Sequence, residues 1–118
     1  MKLDKADQLF SLYIRTRDDF ICQRCKKKSD SVACSHFYGR RNESTRYEPD
    51  NCVTLCYGCH KYFDETNRES YRDFKLKQLG KKRFNTLKVQ VNTYKRKDRK
   101  MEALIWKKAI SSLEGGAR

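Results

Sequence analysis

Apolar and polar positions along this chain follow two different periods, and the changes of period sketch its elements. Between residues 4 and 17, Leu9, Leu12, Tyr13 and Ile14 fall on one side of a 3.6-residue repeat, which predicts an amphipathic helix. Asp4 near its start and Arg15 and Arg17 near its end suit the helix dipole. Residues 20–30 read as a tight turn, and residues 32–38 (Val-Ala-Cys-Ser-His-Phe-Tyr) as a strand that stops at Gly39. The polar, basic stretch Arg40–Glu48 reads as a loop. Pro49-Asp50-Asn51 is a turn signal leading into a second short strand, Cys52–Leu55. From Cys59 the period turns helical: one helix to about Leu79, a break at Gly80, then helical stretches to about Leu113 and a frayed end over 115–118.

This order of elements predicts a single α+β domain over residues 1–118. No apolar run approaches the ~18–20 residues of a membrane span, and no signal peptide is expected after Met1. A soluble, cytoplasmic protein with no membrane partner is the expectation. Charge changes the picture more. The chain has 28 Lys+Arg against 15 Asp+Glu, a formal net of +13, which is best tolerated beside a polyanion. Residues 1–66 carry 12 basic and 10 acidic side chains, whereas residues 67–118 carry 16 and 5. All six Cys and both His lie in the first part. Chemistry is therefore expected in the first half and electrostatic grip in the second.

Cys22-x-x-Cys25 and Cys56-x-x-Cys59 form two knuckles. Two residues between ligands let one tight turn aim both sulfurs at one metal, and two such turns complete a tetrahedral thiolate cage for zinc. The competing readings are four buried thiols or a redox pair. A four-thiolate zinc leaves no open coordination position, so its role would be structural. Cys34 and Cys52, on the two candidate strands, read as small buried hydrophobes.

The only two histidines sit beside these motifs. The order His36…Asn51…His60, interleaved with the knuckles, resembles the HNH (His-Me finger, ββα-metal) endonuclease signature. The stretch Cys34-Ser-His-Phe-Tyr-Gly-Arg-Arg…Arg46-Tyr…Asp50-Asn…Leu55-Cys-Tyr-Gly-Cys-His60 looks most like phage-encoded HNH proteins related to the NinG/Rap recombination endonucleases. The likeness covers about residues 20–75.

The resemblance implies a ββα-metal finger on the four-cysteine zinc site over residues 20–66, an N-terminal helix, and a basic helical extension over 67–113. It implies hydrolysis of DNA phosphodiester bonds, in phage recombination, replication or packaging. His36 would be the general base that activates water, as an imidazole largely neutral at working pH can do. His60 would hold the catalytic divalent ion, Mg²⁺ or Mn²⁺, and Asn51 would tie the loop between the strands. One departure stands out. Many family members place Asp or His directly before the base as a second metal ligand, and this chain has Ser35. Asp64, one helical turn after His60, points the right way to help, although a surface acid is its plainer reading.

Arg40, Arg41 and Arg46 follow His36 in the loop and are expected to neutralise phosphate charge near the cut. Lys95, Arg96, Lys97, Arg99 and Lys100 close a run of eleven basic residues and one acid from Lys75 onward, expected to contact the DNA backbone. Tyr94 and Trp106, at helical spacing with Leu87, Val91, Leu104 and Ile110, read as core. A homodimer would suit symmetric cleavage of two strands. The alternative from another class is a zinc-finger DNA-binding module without catalysis, for which Ser35 is the best argument.

Overall fold

Asp4 starts the first helix by accepting a hydrogen bond from the Asp7 amide at 2.9 Å, so α1 runs Lys5–Arg17. The computed structural model describes residues 4–115. Its buried face is Ala6, Asp7, Phe10 and Ile14, with Leu9 and Tyr13 half-buried beside it. That face is rotated from the expected one. Leu12 is only half-buried, because the stripe follows positions 6, 10 and 14. Asp19 and Phe20 take positive φ, and the Phe20 amide donates back to the Arg15 carbonyl at 2.8 Å, which ends the helix.

The chain next forms the first knuckle, closed by the Cys22 amide on the Lys27 carbonyl and the Lys26 amide on the Cys22 carbonyl, both 2.8 Å. Strand β1 (Ala33–His36) then pairs antiparallel with β2 (Cys52–Leu55), with Ser35 opposite Val53 and His36 opposite Cys52. β1 is shorter than the expected 32–38: the Phe37 amide still bonds the Asn51 carbonyl at 2.8 Å in register, but Asn51 already belongs to a 3₁₀ turn, which ends the pairing. Two 3₁₀ turns, Glu43–Thr45 and Pro49–Asn51, shape the segment between the strands.

α2 begins at Tyr57, not Cys59, and runs Tyr57–Lys61 into a π-helical turn, Tyr62–Thr66, closed by the Asn67 amide on the Tyr62 carbonyl at 2.8 Å. The single helix expected to Leu79 is therefore two. Asn67 leaves helical geometry, and its side chain caps α3 (Arg68–Leu79) through the Ser70 amide at 2.9 Å. Gly80, at φ +83°, makes the break to α4 (Lys81–Val91), a backbone angle that favours glycine. α5 spans Arg99–Gly115. Of the frayed end expected over 115–118, Gly115 still belongs to α5, and 116–118 lie outside the described residues.

Among the described residues this is an α+β globule of five α-helices and one two-stranded antiparallel sheet. The sheet separates two cores. One face packs Val53, Leu55, Phe37, Phe63, Tyr71, Phe84 and Leu87, so α3 and α4 are built into the hairpin. The other packs Ala6, Phe10, Ile14, Tyr47, Cys52 and Trp106. Trp106 lies 4.8 Å from the Phe10 ring and 4.9 Å from Tyr13, while Arg99 reaches Asp4 at 3.5 Å. α5 therefore lies parallel to α1. Tyr94 and Leu104 depart from the core expectation at 79 % and 66 % exposure, because the helical repeat is interrupted between α4 and α5.

Candidate metal centre and pocket

The two knuckles meet. The sulfurs of Cys22, Cys25, Cys56 and Cys59 all lie within 4.8 Å of one another, and those of Cys25 and Cys56 are 3.8 Å apart. A tetrahedron with ~2.3 Å metal–sulfur bonds has edges of about 3.8 Å, so this donor set fits zinc. Each knuckle is set by its own backbone: the Cys25 amide points at the Cys22 sulfur and the Cys59 amide at Cys56, both at 3.5 Å. Arg24 donates to the Cys59 sulfur at 3.5 Å. Burial pushes the Cys22 thiol up, yet the surrounding N–H groups outweigh it and hold it at about 6. Cys59 is pushed up to about 12 by burial, against the pull of Arg24, with the Cys56 and Cys22 sulfurs adding to the rise. Four thiolates cannot share this volume unless a cation joins them. The cluster could hold a metal such as zinc.

Because Cys56 caps α2 and Cys59 lies within it, the cluster fixes where that helix starts. His60 follows directly. It lines a pocket of about 440 Å³ whose other lining residues include His36, Cys34, Arg40, Asp64 and Asp7. The two histidines, far apart in sequence, thus face one space.

The His36 ring is held from one side. Its Nε2 lies 2.9 Å from the Arg46 carbonyl oxygen. A carbonyl only accepts, so Nε2 carries the proton and Nδ1 keeps the free lone pair. Burial lowers the His36 pKa to about 4, opposed by the Arg46 carbonyl and Asp7 and assisted by Arg40. The ring is therefore neutral at neutral pH. Asn51 is fully buried and spans the inter-strand loop: its Oδ1 accepts from the Tyr38 amide, and its Nδ2 donates to the carbonyls of Tyr38 and Thr45 at 2.9 and 3.1 Å. Those bonds tie the chain just beyond β1 to the first 3₁₀ turn.

His60 Nε2 and Asp64 Oδ2 are 2.8 Å apart, one helical turn from each other. Asp64 also accepts from Arg68 at 3.2 Å, and Arg68 donates to the Phe37 carbonyl at 2.8 Å, which ties α3 to the end of β1. The His60 imidazole and the Asp64 carboxylate thus lie side by side at the pocket wall. Ser35 takes no part. It points to the opposite face of the sheet, buried, with its hydroxyl 2.6 Å from the Tyr71 hydroxyl.

The expected phosphate ligands divide. Arg40 lines the pocket and Arg41 is exposed. Arg46 instead forms a two-pronged ion pair with Asp7 at 2.8 and 2.5 Å, its side chain 13 % exposed. In the second half, Lys95, Arg96 and Lys100 are exposed. Lys97 is half-buried with its amide on Glu43 at 3.1 Å, and Arg99 pairs with Glu43 through a hydrogen bond from Nη2 at 2.9 Å and an ion-pair contact of Nη1 at 2.7 Å. Lys75, counted in the basic run, is fully buried, donating to Gln78 at 2.7 Å. Arg46, Arg99 and Lys75 thus spend their charge inside the molecule.

Asp7 is the residue the sequence reading passed over. A carboxylate on the 6-10-14 face of α1 was the available signal, since a charge at a core position demands a partner. Burial pushes its pKa up, but Arg46 more than offsets this and holds it at about 2. Folded Asp7 thus binds its proton more weakly than at the ordinary 3.8. Its contribution, about 2 kcal/mol, is complete above about pH 4 and fades as the pH falls toward 2. We expect Asp7→Asn to lower the denaturation midpoint at pH 7 and to match the parent increasingly closely in acid; a gap that stays constant to pH 2 would contradict this.

No family model, no curated protein and no solved structure matches this chain.

Proposed function

We propose that this chain is a metal-dependent DNA endonuclease, a ββα-metal finger of the HNH kind with a structural zinc at Cys22, Cys25, Cys56 and Cys59. The supporting observation is the shared pocket: His36, with Nε2 committed to a carbonyl, faces the same space as His60 and Asp64.

In this reading His36 Nδ1 takes a proton from water as the oxygen attacks phosphorus, and the bond to the 3′ oxygen breaks. The Arg46 carbonyl keeps the ring in the tautomer that leaves Nδ1 free. Arg40 places positive charge beside the phosphate. His60, with Asp64 beside it, would hold a divalent ion, Mg²⁺ or Mn²⁺, whose charge would stabilise the leaving oxygen. The deciding experiment incubates the protein with supercoiled plasmid and Mn²⁺ or Mg²⁺, with and without EDTA. Nicking that EDTA abolishes supports the enzyme; DNA binding with no nicking selects the non-catalytic zinc module.

DNA grip belongs, on this reading, to the exposed cations. Replacing Lys95, Arg96 and Lys100 together with Gln should weaken affinity on every sequence tested. It should also flatten the salt dependence, by about 0.9 in log–log slope per lost phosphate contact. Affinity and slope equal to the parent's would remove this segment from the interface. Arg99→Gln should instead lower stability, because it strips Glu43 of its chelating partner.

A further inference from the structure

A second group of soft ligands lies against the pocket, apart from the knuckles. On β1, Cys34 and His36 are two residues apart and so share a face of the hairpin; on β2, Cys52 stands opposite His36 in register. A sulfur from each cysteine and a ring nitrogen of His36 lie within 4.8 Å of one another. Cys52 is 1 % exposed and forms the closed end, while Cys34 and His36 open onto the pocket. The cluster thus has a buried base and a solvent-facing mouth. We propose that Cys34, Cys52 and His36 form a second metal site, selective for a thiophilic d¹⁰ cation such as Zn²⁺ or Cd²⁺, entered from the pocket.

The chemistry of the donors carries this. Two thiolates and an imidazole select soft or borderline ions over Mg²⁺. With Nε2 donating to the Arg46 carbonyl, Nδ1 is the nitrogen left to bind, and the carbonyl holds the ring in place as outer-shell partners of metal-bound histidines do. Tetrahedral coordination with bonds of ~2.0–2.3 Å needs donors about 3.3–3.8 Å apart, and these three lie within 4.8 Å of one another. Each thiol releases its proton to solvent as its sulfur binds, and no oxidation state changes. The fourth position, facing the pocket, takes water.

One consequence rests on the nuclease reading: a cation here occupies the lone pair assigned to the general base, so it inhibits cleavage, whereas zinc at the knuckles does not. Binding itself is tested without DNA. The zinc-loaded full chain, under a thiol-free reductant, is titrated with Cd²⁺, freed of excess by gel filtration, and assayed for zinc plus cadmium per chain. Counting both metals keeps the result valid when cadmium displaces zinc at the knuckles.

The parent should retain two metal equivalents, with a thiolate-to-cadmium charge-transfer absorption for every cadmium among them. Cys34→Ala and Cys52→Ala should retain one. Outer-shell partners alone cost 10–100-fold in affinity, so loss of a direct ligand should weaken the second site by more than ~100-fold. Cys34→Ala, half-buried at the mouth, keeps the measurement meaningful should Cys52→Ala fail to fold. One equivalent in the parent, or two in Cys34→Ala, overturns the site. If the binding result holds, the nicking assay reads the consequence: cadmium inhibition in the parent and its relief in Cys34→Ala support it. Failure to nick in any condition strikes the nuclease reading and leaves the metal site standing.

Discussion

His36→Ala is expected to lower DNA cleavage by roughly 10²–10⁴, the range a positioned general base supplies, while the zinc at the knuckles, the fold and DNA affinity stay at parent levels. The separation is expected because His36 is a half-buried pocket residue whose one polar anchor is the Arg46 carbonyl, and the four-cysteine cluster does not depend on it. His60→Ala should also lose cleavage, by weakening the hold on the catalytic ion, so added Mn²⁺ should restore part of it. The same addition should do nothing for His36→Ala. The pH profile offers an independent reading. Burial lowers the His36 pKa to about 4, so protonation of this base should not reduce cleavage between pH 7 and 6 and should begin to do so only near pH 4. Parent-level activity in His36→Ala would overturn the assignment.

The second large effect concerns the knuckles. Cys→Ser at Cys22 or Cys59 should give a protein that is largely unfolded at room temperature. Structural zinc sites contribute on the order of 10–16 kcal/mol of apparent binding free energy at pH 7, more than a small domain's whole stability. Both residues are buried within the larger core, next to Val53, Leu55 and Phe63, so their loss removes packing as well as metal. Chelation of the parent should reproduce the same loss of helical circular dichroism. A well-folded, metal-free parent would refute the zinc assignment.

What could be read from the chain beforehand was local. Pro49-Asp50-Asn51 announces a turn before a strand, and β2 occupies Cys52–Leu55; Gly80 breaks the helices where its positive φ is needed. Cys-x-x-Cys spacing is itself a statement about geometry, and the four sulfurs do converge. Tertiary choices were less legible. The face of α1 turned on Asp7, a charge whose burial depends on Arg46, distant in sequence. Arg99 looked like one more cation in a basic run, and only its position beside Glu43 makes it an internal strut. The break at Asn67 follows from the π turn at Tyr62–Thr66, which carries no simple periodic signature. His36 and His60 could be named by order alone, but their shared pocket depends on how α2 sits against the hairpin.

The parallel pairing of α1 with α5 has a consequence in time. During synthesis, both knuckles leave the ribosome well before Arg99, so metal uptake can precede completion of the chain. The wall that carries Asp7 and Ser11 belongs to α1, whose apolar face packs on Tyr47 and Cys52 but lacks the rest of its cover until Trp106 arrives. Contacts spanning nearly the whole sequence form late, since the intervening chain must first be ordered. A nascent chain could thus fill the four-cysteine cluster with metal first, and the docking of α5 would then fix α1, the helix that supplies the Asp7 and Ser11 wall of the pocket.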